Sequence, residues 1–138
     1  MAKPEATFIS SIHRHLKGIE EVDAISMAGT YTNGIADVYY DGLKSDLWVE
    51  YKFIRQLPKK LDLLRLTTSP YLSALQNHFL QRRYLNGHRA WVIVGCAKGG
   101  IILYAPSLWQ NIIETADFHL YSRKELASEI IQTVMGEV

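Results

Sequence analysis

The chain has few of the features that mark secreted or membrane-bound proteins. It contains one cysteine, Cys96, in 138 residues, which excludes an internal disulfide and a cysteine-based zinc site. No apolar run reaches the ~18 residues that a membrane span needs. The N-terminus also lacks a basic segment followed by an apolar one. These absences predict a soluble, cytosolic protein with no membrane partner.

Acidic residues are scarce in the middle of the chain. From Lys52 to Lys98 there are nine lysines and arginines but a single acid, Asp62, although the net charge of the whole chain is only +1. Four acids lie just upstream, from Asp37 to Glu50. An acidic cluster beside a basic tract suits a metal-dependent enzyme that acts on a polyanion. The alternative is a solvated surface on which the charges cluster by chance.

The stretch from Gly34 to Phe53 predicts a β-hairpin. Two apolar runs, 35–40 and 47–54, flank a short polar connection, which is typical of two antiparallel strands and their loop. Side chains alternate between the faces of a strand. The second run therefore divides into an apolar set and a mixed set: Leu47, Val49, Tyr51 and Phe53 on one face, and Trp48, Glu50 and Lys52 on the other.

Three charged residues of this hairpin form the main candidate site. Asp37 lies near the start of the first strand, and Glu50 and Lys52 are neighbours on one face of the second. Charged groups in strands this apolar are costly to bury unless they are paired or bind a metal. The pattern predicts a divalent-metal site with a lysine beside it. The alternative is a surface hairpin with an exposed Glu–Lys pair, which contributes only about 0–1 kcal/mol.

The rest of the pattern predicts an α/β fold: a single domain with a central mixed β-sheet flanked by helices. Ser69 is predicted as the N-cap of the second helix, with Pro70 in its first turn. Ser107 and Ser122 each open a capping-box pattern. The region 55–69 is predicted as a basic loop. Helices are expected over 4–17, from Ser69 to Gly87, over 107–116 and after Ser122. The second of these helices is expected to bury Leu72, Leu75, Phe79 and Leu80. Further strands are expected over 21–28, 90–96, 101–105 and 117–121.

Two polar residues on the predicted helices could join the site. Glu5 lies on the inward stripe of the first helix, so it either complements the positive end of the helix dipole or reaches the metal site. Gln76 lies on or beside the buried stripe of the second helix. A half-buried glutamine needs hydrogen-bond partners, which are either site residues or the neighbouring backbone.

These residues resemble the PD-(D/E)xK nuclease superfamily. The resemblance lies in a helix with Glu5, then Gly34-x-x-Asp37, Glu50-x-Lys52, a helix with Gln76, and an apolar strand after Gly87. The spacing is most similar to the branch of VRR-NUC domains and archaeal-type Holliday junction resolvases. The match covers roughly residues 5 to 95, with Ala36 where the family often has proline. It implies one nuclease domain over 1–138, with a restriction-endonuclease-like core over about 5–105 and the helices of 107–136 as a peripheral cap.

The resemblance also implies a mechanism. Asp37, Glu50 and the backbone carbonyl of Tyr51 would bind Mg²⁺ or Mn²⁺, with Glu5 supporting the metal. Lys52 would orient the attacking water or stabilise the charge that develops on the phosphate. Gln76 would position Lys52, the water or the phosphate. The implied reaction is phosphodiester hydrolysis that leaves a 5′-phosphate.

DNA is the implied partner, and no organic cofactor is expected. A homodimer is expected because double-strand cutting needs two active sites. The cytosol of a bacterium or of a phage-infected host is the expected location, with a phage or a mobile element as the origin. Two other functions stay open: a catalytically silent nucleic-acid-binding module on the same fold, and a small protein that docks on a partner through its helices. The residues expected to contact DNA are Tyr31, Asn33, Arg55, Lys59, Lys60, Arg82 and Arg83.

Overall fold

The computed structural model describes residues 4–19, 21–27, 34–55, 63–64, 72–114 and 117–136, and for residues 63, 64 and 113 the backbone alone. The helices are α1 (Pro4–Arg14), α2 (Ala74–Leu85), α3 (Pro106–Trp109) and α4 (Arg123–Met135). The strands are β1 (Asp23–Ser26), β2 (Val38–Asp41), β3 (Asp46–Phe53), β4 (Leu63–Leu64), β5 (Arg89–Cys96), β6 (Gly99–Leu103) and β7 (Ile113–Glu114). None of the helices described here is long and apolar enough to cross a membrane.

Five strands form a mixed sheet in the order β1-β2-β3-β5-β6. The first three strands are antiparallel neighbours, and β2 and β3 form the predicted hairpin. β3 and β5 run parallel, and α2 lies between them in the sequence. β6 returns antiparallel to β5. The prediction of a single α/β domain with a mixed sheet flanked by helices is confirmed.

Strand β3 separates two hydrophobic cores, and its side chains alternate between them. Leu47, Val49 and Tyr51 are fully buried on the face that α1 and α4 cover. Trp48 packs on the opposite face in a second core that includes residues of α2 and α3. Glu50 and Lys52 alternate with the first set, so they lie on the α2 side of the sheet. The strand thereby places two charged side chains between a sheet and a helix.

Helix α4 belongs to the main core, which corrects its prediction as a peripheral cap. Its residues Leu126, Ala127, Ile130 and Val134 are almost completely buried and pack with β2, β3 and α1. The carbonyl of Val134 also accepts hydrogen bonds from the backbone N–H groups of Lys44 and Ser45, in the turn of the β2–β3 hairpin. The helix therefore fixes the turn from which β3 starts.

The start of α2 differs from the prediction. Its N-cap is Ser73, not Ser69, and the helix begins at Ala74. Ser73 and Gln76 form a complete capping box, and this local arrangement fixes the helix start. Because of the shift, Leu72 is buried but precedes the helix, and Leu75 is 56% exposed instead of buried. Ser69 and Pro70 lie outside the described residues.

The segments before and after the other helices also depart from the pattern. The first helix ends at Arg14, and the chain then forms turns up to Gly18. The capping box predicted at Ser107 is wrong: α3 starts after Ala105 with Pro106 in its first turn, and it ends at Trp109. Two short strands, β4 and β7, form by pairing with each other across a long stretch of the chain. β4 lies within the region predicted as a loop. The strand predicted over 117–121 is reduced to one bridge between Tyr121 and Gly100.

Truncating Ile130 to alanine should destabilise the protein by about 2–5 kcal/mol, because the change leaves a cavity in the main core. The matched control is Gln132→Ala on the exposed side of the same helix, which should change stability by less than about 0.5 kcal/mol. Urea unfolding followed by circular dichroism measures both. Equal, small effects would show that α4 only covers the domain from outside.

Candidate active site

The hairpin brings Asp37 beside the strand that carries Glu50 and Lys52. Asp37 directly precedes β2, and its carboxylate Oδ2 accepts a hydrogen bond of 2.8 Å from the backbone N–H of Tyr51. Its own carbonyl accepts a 2.9 Å bond from the N–H of Met27. The residue is thus held on both sides, with its carboxylate directed at β3.

Gly34 explains how the chain reaches Asp37. Its backbone has φ = +87°, a left-handed conformation that favours glycine. A Cβ built on Gly34 would lie 2.7 Å from Cβ of Leu75 at the start of α2, so any side chain there would force the segment away from α2. Both the backbone conformation and the close approach of α2 therefore favour glycine three residues before Asp37.

Glu50, Lys52 and Gln76 form one hydrogen-bonded group between β3 and α2. Nζ of Lys52 lies 3.0 Å from Oε2 of Glu50 and donates to Oε1 of Gln76 at 3.1 Å. The side-chain nitrogen Nε2 of Gln76 donates to the same Oε2 of Glu50 at 3.0 Å. The side chain of Glu50 is 1% exposed and that of Lys52 is 15% exposed. The exposed Glu–Lys pair considered from the sequence is therefore ruled out.

The amide of Gln76 has only one orientation that satisfies its neighbours. Its Oε1 also accepts a 3.0 Å bond from the backbone N–H of Ser73, and a backbone N–H can only donate. The oxygen must therefore face Ser73 and Lys52, which directs the NH₂ group to Glu50. Both readings of Gln76 from the sequence hold, since it bonds to backbone and to site residues at once.

Burial shifts the ionisation of both carboxyl groups. Desolvation and then the charge of Asp37 raise the pKa of Glu50 to about 8, against the opposing effect of Lys52. Desolvation also raises the pKa of Asp37, while the Tyr51 N–H and the charge of Lys52 oppose it. Two such groups close together favour a bound proton or a bound cation over two free negative charges.

One oxygen of Glu50 has no partner among the described residues. Oε2 receives both hydrogen bonds, whereas Oε1 is buried and bonded to nothing in the described part of the chain. A buried acceptor without a partner is costly. An orphaned carboxylate oxygen beside a second carboxylate fits Mg²⁺ or Mn²⁺, because hard cations take oxygen ligands and Mg²⁺ is usually held by one or two carboxylates plus waters.

The backbone of Tyr51 is held firmly at this point. In a strand, the N–H and C=O of a residue point to the same side, so the Tyr51 carbonyl faces the edge on which Asp37 lies. On the opposite face, the Tyr51 hydroxyl is hydrogen-bonded to that of Tyr40 at 2.5 Å. Tyr40 is bonded in turn to Nε2 of His13 on α1 at 2.7 Å. The residue between Glu50 and Lys52 is therefore anchored from the other core.

Glu5 lies near the site but does not join the two carboxylates in a cluster. Its charge makes the smallest of the contributions that raise the pKa of Glu50. Within the described part of the chain, no three His, Cys, Asp or Glu side chains come together as a metal-binding group. The role of Glu5 at the metal stays a prediction.

The predicted DNA contacts are described only in part. Arg55 is exposed, two residues after the end of β3. Arg82 is exposed on α2, and the guanidinium of Arg83 stacks 4.9 Å from the ring centre of Phe79. Arg82 and Arg83 lie about 9 and 10.5 Å along the helix from Gln76, at roughly 1.5 Å per residue. Four further predicted contacts lie outside the described residues: Tyr31, Asn33, Lys59 and Lys60.

Ser73 is a site-bordering residue that the sequence prediction missed. The prediction placed the helix start four residues earlier, at Ser69. The pattern Ser73-Ala-Leu-Gln76 is itself a capping-box sequence. It is the local signal that marks Ser73 as a candidate N-cap and places Gln76 in the first turn.

The fold is similar to that of a solved archaeal protein. A 1.6 Å structure of Hjc, a Holliday junction resolvase from the hyperthermophilic archaeon Archaeoglobus fulgidus, matches with a TM-score of 0.59 and 18% sequence identity, over 88% of this chain and 98% of that chain. At this identity the likeness establishes the restriction-endonuclease-like fold, in agreement with the sequence prediction. No family model matches the chain, and no curated protein matches it.

Replacing Glu50 with glutamine should change the pH dependence of stability when no divalent cation is present. The free energy of unfolding of the variant, relative to that of the wild type, should rise as pH rises from about 5 to about 8. Folded Glu50 keeps its proton up to about pH 8, whereas the unfolded chain releases it near 4.5. The folded state therefore binds more protons in this window, and its stability falls as pH rises. The difference should reach roughly 2–4 kcal/mol, since each pH unit contributes up to 1.4 kcal/mol.

Urea unfolding in EDTA across this pH range measures the difference. Glu125→Gln is the matched control, because Glu125 is exposed and its pKa is lowered by hydrogen bonds to Ser122. Its difference from the wild type should stay constant above about pH 5. Constant differences for both variants would show that Glu50 ionises as easily in the folded protein as in the unfolded chain.

Proposed function

We propose that this protein is a metal-dependent DNA endonuclease that hydrolyses phosphodiester bonds and leaves 5′-phosphate ends. The observation that carries the proposal is the orphaned oxygen of the buried Glu50, placed beside Asp37 and next to Lys52. The restriction-endonuclease-like fold adds support, because the similar structure is that of a Holliday junction resolvase.

The metal ligands in this proposal come from both strands of the hairpin. Asp37, the free oxygen of Glu50 and the backbone carbonyl of Tyr51 would hold Mg²⁺ or Mn²⁺, with water at the other positions. When bound, such a cation supplies positive charge at the scissile phosphate and lowers the pKa of an attacking water. Glu5 would support the metal.

The neighbouring residues provide the rest of the chemistry. The Lys52 ammonium has three donors, of which two are directed at Glu50 and Gln76. The third can meet a water or a phosphate oxygen, where the ammonium stabilises negative charge that develops in the transition state. Gln76 keeps Lys52 and Glu50 in this geometry. The ammonium and the orphaned oxygen would then act on the same phosphate.

The substrate in this proposal is DNA, bound through its phosphates. Arg55, Arg82 and Arg83 would contact the backbone, together with Lys59, Lys60, Tyr31 and Asn33. Such contacts give affinity but no sequence information. A homodimer would place two sites on a duplex or on a branched substrate. The proposal includes the branch of VRR-NUC domains and archaeal-type resolvases, and a bacterial or phage-infected cytosol.

The first prediction is that the purified protein cuts DNA with Mg²⁺ or Mn²⁺ and not with EDTA. Glu50→Ala and Lys52→Ala should each reduce cutting by at least about 100-fold, because each removes a group that contacts the reacting phosphate or its metal. The assay uses supercoiled plasmid, linear duplex, single strand, flap, fork and four-way junction. Circular dichroism confirms that the variants fold, and Gln132→Ala is the control.

The outcomes separate the three functions. Full activity in both variants would show that the site is wrongly placed. DNA binding without cutting, unchanged in EDTA, would favour the silent nucleic-acid-binding module. Absence of both binding and cutting on every substrate would favour a protein-interaction role. A preference among the substrates would assign the class of nuclease.

A further prediction concerns Gln76→Glu. The variant keeps the capping box, since Glu125 occupies the same position in α4, but it places a carboxylate oxygen where Nε2 donates to Glu50. Repulsion between the two acids should lower kcat by about 10- to 100-fold while the helix stays folded. Glu125→Gln is the reciprocal control and should leave kcat unchanged. The same kcat in Gln76→Glu and Glu125→Gln would show that Gln76 does not contribute to the active site.

A further inference from the structure

The chain contains two capping boxes of almost the same geometry. In α2, the Ser73 hydroxyl accepts from the N–H of Gln76 at 3.1 Å, and the Ser73 N–H donates to the Gln76 side chain at 3.0 Å. In α4, the Ser122 hydroxyl accepts from the N–H of Glu125 at 3.1 Å, and the Ser122 N–H donates to the Glu125 side chain at 2.8 Å. The two caps satisfy the same orphaned helix donors.

The two boxes differ in what else the third helical residue touches. Glu125 lies on the surface, whereas Gln76 contacts the buried Glu50 and Lys52. A carboxylate in place of the Gln76 amide would complete the cap but could not donate to Glu50. The glutamine at this position thus satisfies the helix and the site with one side chain.

Ser73 contributes to the site in two separate ways. Its N–H fixes the Gln76 amide, because this donor can face only Oε1. Its hydroxyl holds the N–H of Gln76 and so determines where the first turn of α2 begins. Any shift of that turn would move the amide from Glu50 and Lys52, and hydrogen bonds weaken steeply with distance and angle.

We propose that Ser73 is a positioning residue of the active site, and that the capping box of α2 orients Glu50 and Lys52 through Gln76. The proposal rests on the nuclease function proposed above. It makes the start of α2 part of the catalytic apparatus, although Ser73 itself contacts neither carboxylate in the described structure.

The test compares Ser73→Ala with Ser122→Ala, which removes the matching cap from α4. Both should lower the melting temperature to a similar degree. Only Ser73→Ala should lower kcat, by about 10- to 100-fold, with KM for the DNA changed less than threefold, since small displacements of reacting groups cost about this much. Ser73→Thr keeps the hydroxyl and should restore most of the activity.

A second measurement needs neither metal nor substrate. The side-chain NH₂ signals of Gln76 in a ¹H–¹⁵N NMR spectrum should be shifted and protected from exchange in the wild type and in Ser122→Ala. Ser73→Ala keeps the backbone N–H and removes only the hydroxyl, so in this variant the signals should shift from their wild-type positions and exchange faster. Should Ser73→Ala fail to fold, Ser73→Gly replaces it, because glycine costs little at an N-cap; its kcat should fall while its melting temperature stays close to that of the wild type.

The results separate this inference from the function on which it rests. Unchanged kcat and unchanged Gln76 signals in Ser73→Ala, or in the glycine variant, would reduce Ser73 to an ordinary cap and overturn the inference. Activity retained in Glu50→Ala would overturn the nuclease site instead, and the NMR signals would still decide whether Ser73 orients Gln76. Loss of activity in the Thr variant with an intact fold would also contradict the inference.

Discussion

The burial of the Glu50 carboxyl group is the constraint on which this part of the structure depends. A carboxylate taken out of water must be paired, protonated or bound to a cation. Lys52 supplies a charge from the same strand, and Gln76 supplies a donor from the helix that crosses over the sheet. Both reach the same oxygen, so the other oxygen is left for a different partner. Buried hydrogen-bonded groups of this kind permit few alternative arrangements.

The two faces of β3 have different roles: one packs in the main core, and the other carries the charged residues of the candidate site. Tyr51 points into the main core, where the chain of hydroxyl groups to Tyr40 and His13 fixes it. Glu50 and Lys52 point to the other face. The backbone between them is therefore immobilised by one core while the side chains meet α2. A strand with period-two alternation can do this, because neighbouring residues necessarily face opposite layers.

The sequence predicted the hairpin and its faces well because alternation over eight residues is a local signal. It also placed Glu50, Lys52 and Gln76 on the correct elements, and Asp37 one residue before the strand on which it was expected. The α2 start was misplaced because Ser69-Pro70 and Ser73-x-x-Gln76 are both good helix starts, and propensity alone does not rank them. Strands β4 and β7 were not predicted, since two-residue strands exist only through pairing across about fifty residues.

The pKa of Glu50 connects the fold to the proposed chemistry. With a pKa near 8, the group carries a proton for much of the time at neutral pH when no cation is bound. A cation that takes the orphaned oxygen must therefore displace that proton, so metal affinity should rise with pH. Lys52 limits this competition because its charge favours the ionised carboxylate. In the proposed mechanism, the lysine would prepare the ligand for the cation as well as face the phosphate, and both effects would require the hydrogen bonds that Gln76 makes.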